Sequence, residues 1–307
     1  MAKILVTGSR GFIGKNLVRE LESRGHEVWG CDLKHCEAER YVRCDVSEYR
    51  QVEKLFQDEY FDYVYHLAAE YGRWNGEDYY ENLWLTNVIG TKNILRFQES
   101  LGFRMVFFSS AEVYGDYEEV MSESVMDKVA IKQMNDYAIT KWVGEMQCLN
   151  SASMFGTEIV RVRPVNCYGI FEEYSPYRGV VPMIIYKALR DEPYTVYMGH
   201  KRIFDYVEDT CRTFANIVDN FKAGEVYNIG GREEWEVDIK YVSDLILKCL
   251  GKDDSRVTYK EAEPFTTKEK HIDFTKACRD LNHDPKISLE EGIPRTIEWM
   301  KEHYGIF

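Results

Sequence analysis

The sequence predicts an α/β protein: a doubly wound parallel sheet with a smaller α/β lobe at its C-terminal end. Three observations predict it. Short apolar runs alternate with stretches of helical period through the first half of the chain, the pattern of βαβ units around a parallel sheet. A glycine-rich turn joins the first apolar run to the first helical stretch. The alternation then loosens after Pro164, where turn-formers and aromatics become frequent.

Taken in order, residues 3–7 read as a strand, 11–23 as a helix and 27–32 as a second strand. A helix over 49–59 and a strand over 63–67 come next. Residues 82–101 carry apolar positions at helical spacing, and 105–109 reads as a buried strand. A helix over 135–151 and a strand over 157–163 complete the regular half. Beyond it come a helix at 181–189, a strand and helix around 206–221, and a strand at 226–229. Helices at 239–249 and 293–304 close the chain. The expected division is a nucleotide-binding domain over 1–165, to which a segment near 203–230 returns, and a substrate-binding lobe over 166–307.

A chain of 307 residues, 45% hydrophobic and 30% charged, is a globular protein with room for a substantial core. Its net charge of −13 argues against nucleic acid or an anionic membrane as the main partner. No apolar run reaches the ~18–20 residues of a membrane span, and the N-terminal run lacks a signal peptide's architecture. A cytoplasmic location is expected, with the eight scattered cysteines as free thiols. Cys31, His35 and Cys36 are the one spacing that suggests a metal; ordinary loop residues explain them better, and no metal is expected.

Gly8-Ser9-Arg10-Gly11-Phe12-Ile13-Gly14 forms the turn between the first strand and helix. Glycines there let the backbone turn tightly and approach a pyrophosphate at the helix N-terminus, as in a Rossmann-type sheet. Asp32 ends the second strand, where a carboxylate accepts hydrogen bonds from an adenosine ribose and repels a 2′-phosphate. NAD is therefore expected over NADP, with Arg10 and Lys34 the nearby cations that argue the other way. Asp45 and Val46 come after the next expected strand; Asp45 either meets the adenine or serves as a turn or cap residue.

Tyr137 precedes Lys141 by one helical turn, so the two share a helix face. An ammonium beside a phenol favours phenolate and lowers the tyrosine from its usual value of about 10. That arrangement would supply a base at neutral pH.

With these motifs in order, the chain resembles the extended short-chain dehydrogenases/reductases, and within them the NAD-dependent nucleotide-sugar epimerase/dehydratase family. The resemblance runs over nearly the whole length. It rests on the glycine turn, His66-Leu67-Ala68-Ala69, the stretch 86–95, Ser109–Asp116, Tyr137 with Lys141, the stretch 163–169 and the stretch 224–231. It implies that Ser110, Tyr137 and Lys141 are catalytic: Tyr137 takes the proton from a sugar hydroxyl, Ser110 bonds the reacting oxygen, and Lys141 holds the nicotinamide ribose. It further implies that Gly8, Arg10, Gly11, Phe12, Ile13 and Gly14 line the pyrophosphate site. Leu67, Ala68, Ala69, Asn87 and Pro164 would lie beside the cofactor, Asn87 being equally suited to a structural role. Asn166 matches a substrate-contacting asparagine and Arg202 the arginine that grips the diphosphate. The expected substrate is a nucleotide-diphosphate sugar. A homodimer through a four-helix interface, built from 82–101 and 135–151, is the family pattern.

The reaction course after oxidation at C4 depends on the residues next to Ser110. Ala111 cannot serve as an acid, which favours 4-epimerisation over 4,6-dehydration. Glu112 stands where dehydratases keep a base, so dehydration with another acid, 5-epimerisation or decarboxylation remains open; Glu112 is also able simply to bind a sugar hydroxyl. The diphosphate arginine that many relatives carry is replaced by Glu263, with Lys268 and Lys270 the candidate substitutes. Arg178 is suited to face a phosphate or a uronic carboxylate, and the aromatic loop 71–80 suits either a sugar pocket or packing. The rival class is a non-catalytic NAD-binding sensor, against which the complete catalytic trio and the acidic charge both speak.

Overall fold

The computed structural model describes residues 1–306. The chain opens with β1 (Lys3–Thr7), α1 (Phe12–Ser23), β2 (Glu27–Asp32), β3 (Tyr41–Arg43), α2 (Tyr49–Gln57) and β4 (Tyr63–His66). Then α3 (Arg73–Asp78), α4 (Tyr80–Trp84), a π-helical segment (Leu85–Gly90) and α5 (Thr91–Leu101) lead to β5 (Arg104–Phe108). A short α6 (Val125–Lys128) and the long α7 (Asp136–Phe155) precede β6 (Ile159–Pro164).

Seven strands make one sheet in the order β11-β6-β5-β4-β1-β2-β3, where β11 is Val226–Ile229. Every pairing in it is parallel. The winding reverses between β1 and β4, and ligands of such sheets sit in the crevice at that switch. Alternation of side chains builds the two faces. Ile4, Val6, Tyr65, Val106 and Val160 join Leu17 of α1 in one core. Leu5, Val64, Met105 and Ile159 point the other way, onto Val52 and Leu55 of α2 and Ile94 of α5. Such two-sided burial is why these strands read as continuous apolar runs.

The remaining chain is β7 (Cys167–Tyr168), α8 (Val180–Leu189), β8 (Tyr194–Tyr197), β9 (Lys201–Arg202), β10 (Asp205–Tyr206) and α9 (Val207–Asn216). After β11 come β12 (Val237–Asp238), α10 (Ile239–Leu250), β13 (Val257–Lys260), α11 (Thr275–Leu281) and α12 (Leu289–Tyr304). Here α8, α10 and α12 bury Ile184, Ile185, Val242, Ile246, Ile293 and Ile297 in a core of their own. Phe214 and Cys211 of α9 instead pack on the main sheet.

Two departures from the sequence-based expectation have physical causes. The helix expected over 82–101 is three pieces, because the π-helical turn takes one extra residue and swings Asn87 inward to polar partners. The parallel pair of β8 and β13 has no counterpart in the expected elements, since the side chains of β13 are largely exposed and give no alternation of burial. Among the described residues, no helix is long and apolar enough to cross a membrane. Among them, too, no three His, Cys, Asp or Glu side chains are placed to hold a metal. Cys31 is buried in β2 while His35 stands at the surface.

Candidate active site

The turn after β1 is shaped by close backbone approach. Gly8 has φ +69°, and a Cβ there would lie 2.9 Å from the Ala68 nitrogen. A Cβ on Gly14 would meet the Gly8 carbonyl oxygen at 2.1 Å, so α1 can seat against the turn only with glycine there. Gly11 precedes α1 with no side-chain cap, which leaves first-turn N–H groups for an anion. Phe12 and Ile13 pack downward on the core and support the turn. Asp32 accepts hydrogen bonds from the Arg10 nitrogen at 2.9 Å and the Lys34 nitrogen at 3.2 Å, fixing the turn against β2. The Arg10 side chain is exposed.

Behind the turn, the Thr7 hydroxyl joins His66 Nδ1 at 2.8 Å and accepts from the Ala68 nitrogen at 3.0 Å. His66 Nε2 meets the Thr91 hydroxyl at 3.1 Å. Burial drives this imidazole down to about 3, so it is neutral. Leu67, Ala68 and Ala69 therefore pass the glycine turn on a fixed path, the Leu67 and Ala68 backbone lying against Gly8. Asn87 accepts from the Glu70 nitrogen at 2.8 Å and donates to the Glu70 carbonyl and the Thr140 hydroxyl, anchoring that path. Pro164 ends β6, half-buried. Asp45 Oδ1 accepts from the Ser47 nitrogen and hydroxyl at 2.9 and 2.7 Å, a turn role. Val46 is buried against Gly90.

Ser110 caps a short 3-10 turn, its hydroxyl oxygen accepting from the Glu112 nitrogen at 3.2 Å. Tyr137 sits in the first turn of α7, whose N-cap Asn135 accepts from the Ala138 nitrogen at 2.8 Å. The phenol is buried, edge-on to Tyr71 with ring centroids 5.5 Å apart. The expected coupling of Tyr137 to Lys141 is corrected by this geometry. Lys141 Nζ donates to the Phe108 carbonyl at 2.9 Å and lies 5.9 Å from the Tyr137 ring centre. Burial, then Tyr71, raises the phenol, and only the Ser110 hydroxyl and Arg178 oppose the rise. Burial lowers Lys141 to about 8. The protein alone thus keeps Tyr137 protonated.

One turn beyond Lys141, Glu145 is fully buried and accepts from Arg163 Nε and Nη2, each at 2.8 Å. It also takes the Ser109 hydroxyl at 2.5 Å and Arg161 Nη1 at 3.2 Å. This bidentate seam fixes α7 to β5 and β6, and with them the spacing of Ser110 and Tyr137. Glu145 is absent from the residues expected at the site, although it continues the every-fourth-residue series of Tyr137 and Lys141.

Charges gather around Glu112, beside Ser110. Lys270 Nζ donates to Glu112 Oε1 at 2.6 Å. Burial would raise the Glu112 carboxyl, yet Lys270 and then Arg73 outweigh it and hold it at about 2. Arg73 Nη2 pairs with Glu263 at 2.9 Å. Trp74 meets Phe265 edge-on at 5.1 Å, so the segments around 73 and 263 close together. Arg178 is exposed and lies 5.6 Å over the Tyr71 ring.

Two expected substrate residues are differently engaged. Arg202 gives Nη1 to the carbonyls of Lys201 and Lys268, and Nη2 to Thr266 and Thr267. Its four terminal N–H donors are used by the chain itself, so it braces the 266–268 loop and is not free to grip a diphosphate. Asn166, at φ 37°, donates to the Ile203 carbonyl at 2.9 Å. Glu172 carries no motif in the sequence; it is 3% exposed, and burial against the opposing Arg178 pushes it up to about 8.

Residues 4–230 match the profile of the NAD dependent epimerase/dehydratase family. The chain is 30% identical over 322 residues to a UDP-N-acetyl-alpha-D-glucosaminuronate decarboxylase of Bacillus cytotoxicus, covering 98% of each. It is 27% identical over 335 residues to a dTDP-glucose 4,6-dehydratase of Salmonella typhimurium, covering 97% of this chain and 92% of that protein. Its structure superposes with a TM-score of 0.87 on a UDP-glucuronic acid 4-epimerase from Bacillus cereus in complex with UDP-glucuronic acid and NAD. That similarity comes with 27% identity and covers 98% of this chain and 100% of the other.

Proposed function

Because the chain belongs to the NAD dependent epimerase/dehydratase family, we propose that it is a nucleotide-sugar 4-epimerase acting through a transient 4-keto sugar. Its cofactor is NAD. The glycine turn that a Cβ would fill, the uncapped start of α1 and the Asp32 carboxylate suit the pyrophosphate and ribose of a dinucleotide. When bound there, NAD supplies the hydride acceptor for oxidation and the donor for reduction.

The chain's own residues handle protons and position. Tyr137 takes the proton from the sugar hydroxyl as it is oxidised and returns it on reduction, and Ser110 holds the reacting oxygen. Lys141 of α7, whose Nζ reaches the Phe108 carbonyl at the end of β5, binds ribose hydroxyls in this reading and favours phenolate once substrate and cofactor surround it.

The observation that carries the reading is the state of Glu112. Lys270 and Arg73 hold it as a carboxylate with a value of about 2, too weak a base to take a carbon-bound proton readily. Its neighbour Ala111 has no proton to give. Tyr137 is then the one acid–base group at the reacting carbon, and inversion at C4 needs no other. A second reading, 4,6-elimination, draws on the same pair: Lys270, lowered by burial, as acid and Glu112 as base.

Incubation of UDP-, GDP-, CDP- and dTDP-hexoses with the NAD-loaded protein in deuterated water, read by NMR, separates the two. Inversion at C4 with no deuterium at C5 supports epimerisation. Deuterium at C5 with loss of the 6-hydroxyl sinks it in favour of elimination.

A homodimer and a cytoplasmic location belong to the same proposal. Leu85 and Ile89 of the π segment, with Met146 and Leu149 of α7, are 41–50% exposed apolar side chains on the two helices expected to pair. The eight cysteines are free. A cofactor domain over 1–165 and a substrate lobe over 166–307 complete the reading.

A further inference from the structure

With the four terminal donors of Arg202 committed to the 266–268 loop and Arg178 at the surface, the buried cationic donors left near Glu112 are on two other residues. Arg73 uses Nη2 on Glu263, while its Nη1 is buried with no acceptor. A buried N–H without an acceptor is destabilising. Lys270, 5% exposed, spends one of its three N–H donors on Glu112. Arg73, Lys270 and Arg202 all act on Glu112, so the three cations share one small region beside Ser110. The carboxylates facing them are Glu112 and Glu263; Glu236, farther out, lies 3.4 Å from His271.

Both cations are held in place rather than merely nearby. Glu263 fixes Arg73, and the closure of the two segments is reinforced by Trp74 against Phe265 and by Asn135 Nδ2 donating to the Phe265 carbonyl at 3.3 Å. Glu112 fixes Lys270. Oriented donors that remain unused, both acting on the Glu112 carboxylate next to Ser110, suit an anionic oxygen ligand.

We propose that Arg73 and Lys270 form an anion subsite that binds a phosphoryl or carboxylate oxygen of the nucleotide sugar. Glu263 and Glu112 are its positioning carboxylates. The proposal rests on the nucleotide-sugar reading above and adds the residues that recognise the substrate's charge. It places that recognition at the start of α3, opposite the segment in which residue 263 is a glutamate.

The test is titration calorimetry on the NAD-loaded protein with UDP, dTDP, GDP, CDP, UDP-glucose and UDP-glucuronic acid. Arg73→Met and Lys270→Met are compared with wild type and with Lys260→Met, an exposed cation on β13, as the control for general charge. About a tenfold or greater loss of affinity is expected for both Arg73→Met and Lys270→Met, with Lys260→Met close to wild type. Loss shared by a nucleoside diphosphate identifies a phosphoryl contact; loss confined to UDP-glucuronic acid identifies a carboxylate contact, and either supports the subsite. If Lys270→Met strands Glu112 and unfolds, the Glu112→Gln/Lys270→Met double variant carries the same expectation. Pocket variants that keep NAD and bind every probe as wild type does overturn the subsite and leave the epimerase reading intact. A wild-type protein that binds none of the six overturns both.

Discussion

Arg163 holds Glu145 through two hydrogen bonds of 2.8 Å, both partners essentially without solvent exposure. The pair joins β6 to the helix that carries Tyr137 and Lys141, and the Ser109 hydroxyl ties β5 to the same carboxylate. Removing one partner of such a pair leaves an uncompensated buried charge. Glu145→Ala is expected to lower stability by about 3–5 kcal/mol in urea unfolding. A loss under about 1 kcal/mol would show the seam to be dispensable.

Tyr137→Phe removes a hydroxyl and little packing. Turnover should fall by about 10²–10⁴-fold while NAD content and unfolding midpoint stay near wild type. The raised phenol adds a spectroscopic expectation: without substrate, ultraviolet difference titration against Tyr137→Phe should show no phenolate at this residue through the neutral range. Full activity in the variant would remove Tyr137 from the mechanism.

Glu172 offers a pH-dependent check. Its folded-state value of about 8 lies above the ordinary 4.5. The protonated acid therefore contributes stability below pH 4.5, and that contribution is lost as pH rises through 8. Glu172→Gln should match wild type in thermal unfolding near the lower end of this window and exceed it at pH 7 by at most about 3 kcal/mol. A constant difference across the window would mean that Glu172 is not a buried neutral acid.

The apolar stripe on the two expected interface helices makes a separate prediction. Ile89→Glu with Leu149→Glu places charge on side chains that are already 41–45% exposed, so the folded subunit should tolerate it. In sedimentation the wild type should be a dimer and the variant a monomer. Dimers of unchanged strength would move the interface elsewhere.

The strands are readable in the sequence because burial on both faces makes them continuous apolar runs, and the trio because Ser110, Tyr137 and Lys141 lie in recognisable local motifs. The charges that shape the sugar side are not. Lys270 meets Glu112 across 158 residues, and no local pattern marks such a meeting. Arg202 looks available in sequence because its partners are mostly backbone carbonyls, which leave no trace in composition. The phenol misleads for a related reason: spacing puts Lys141 on the right face, but only packing reveals that its ammonium turns to Phe108. Glu145 does leave a signal, the third member of a buried polar series at four-residue spacing.

The π-helical turn between α4 and α5 fixes how this chain can change in length. A π turn holds one residue more than the α turns around it. Excising one residue from 85–90 would close the π turn into an ordinary α turn, leaving α4 and α5 in phase but removing the extra residue that turns Asn87 inward. Asn87 would leave Glu70. A single-residue deletion here should cost cofactor retention, measured as NAD content. The equivalent deletion in the exposed 35–39 loop should be accommodated. The stretch is thus a length gauge, coupling the pocket's roof to the helices that face outward.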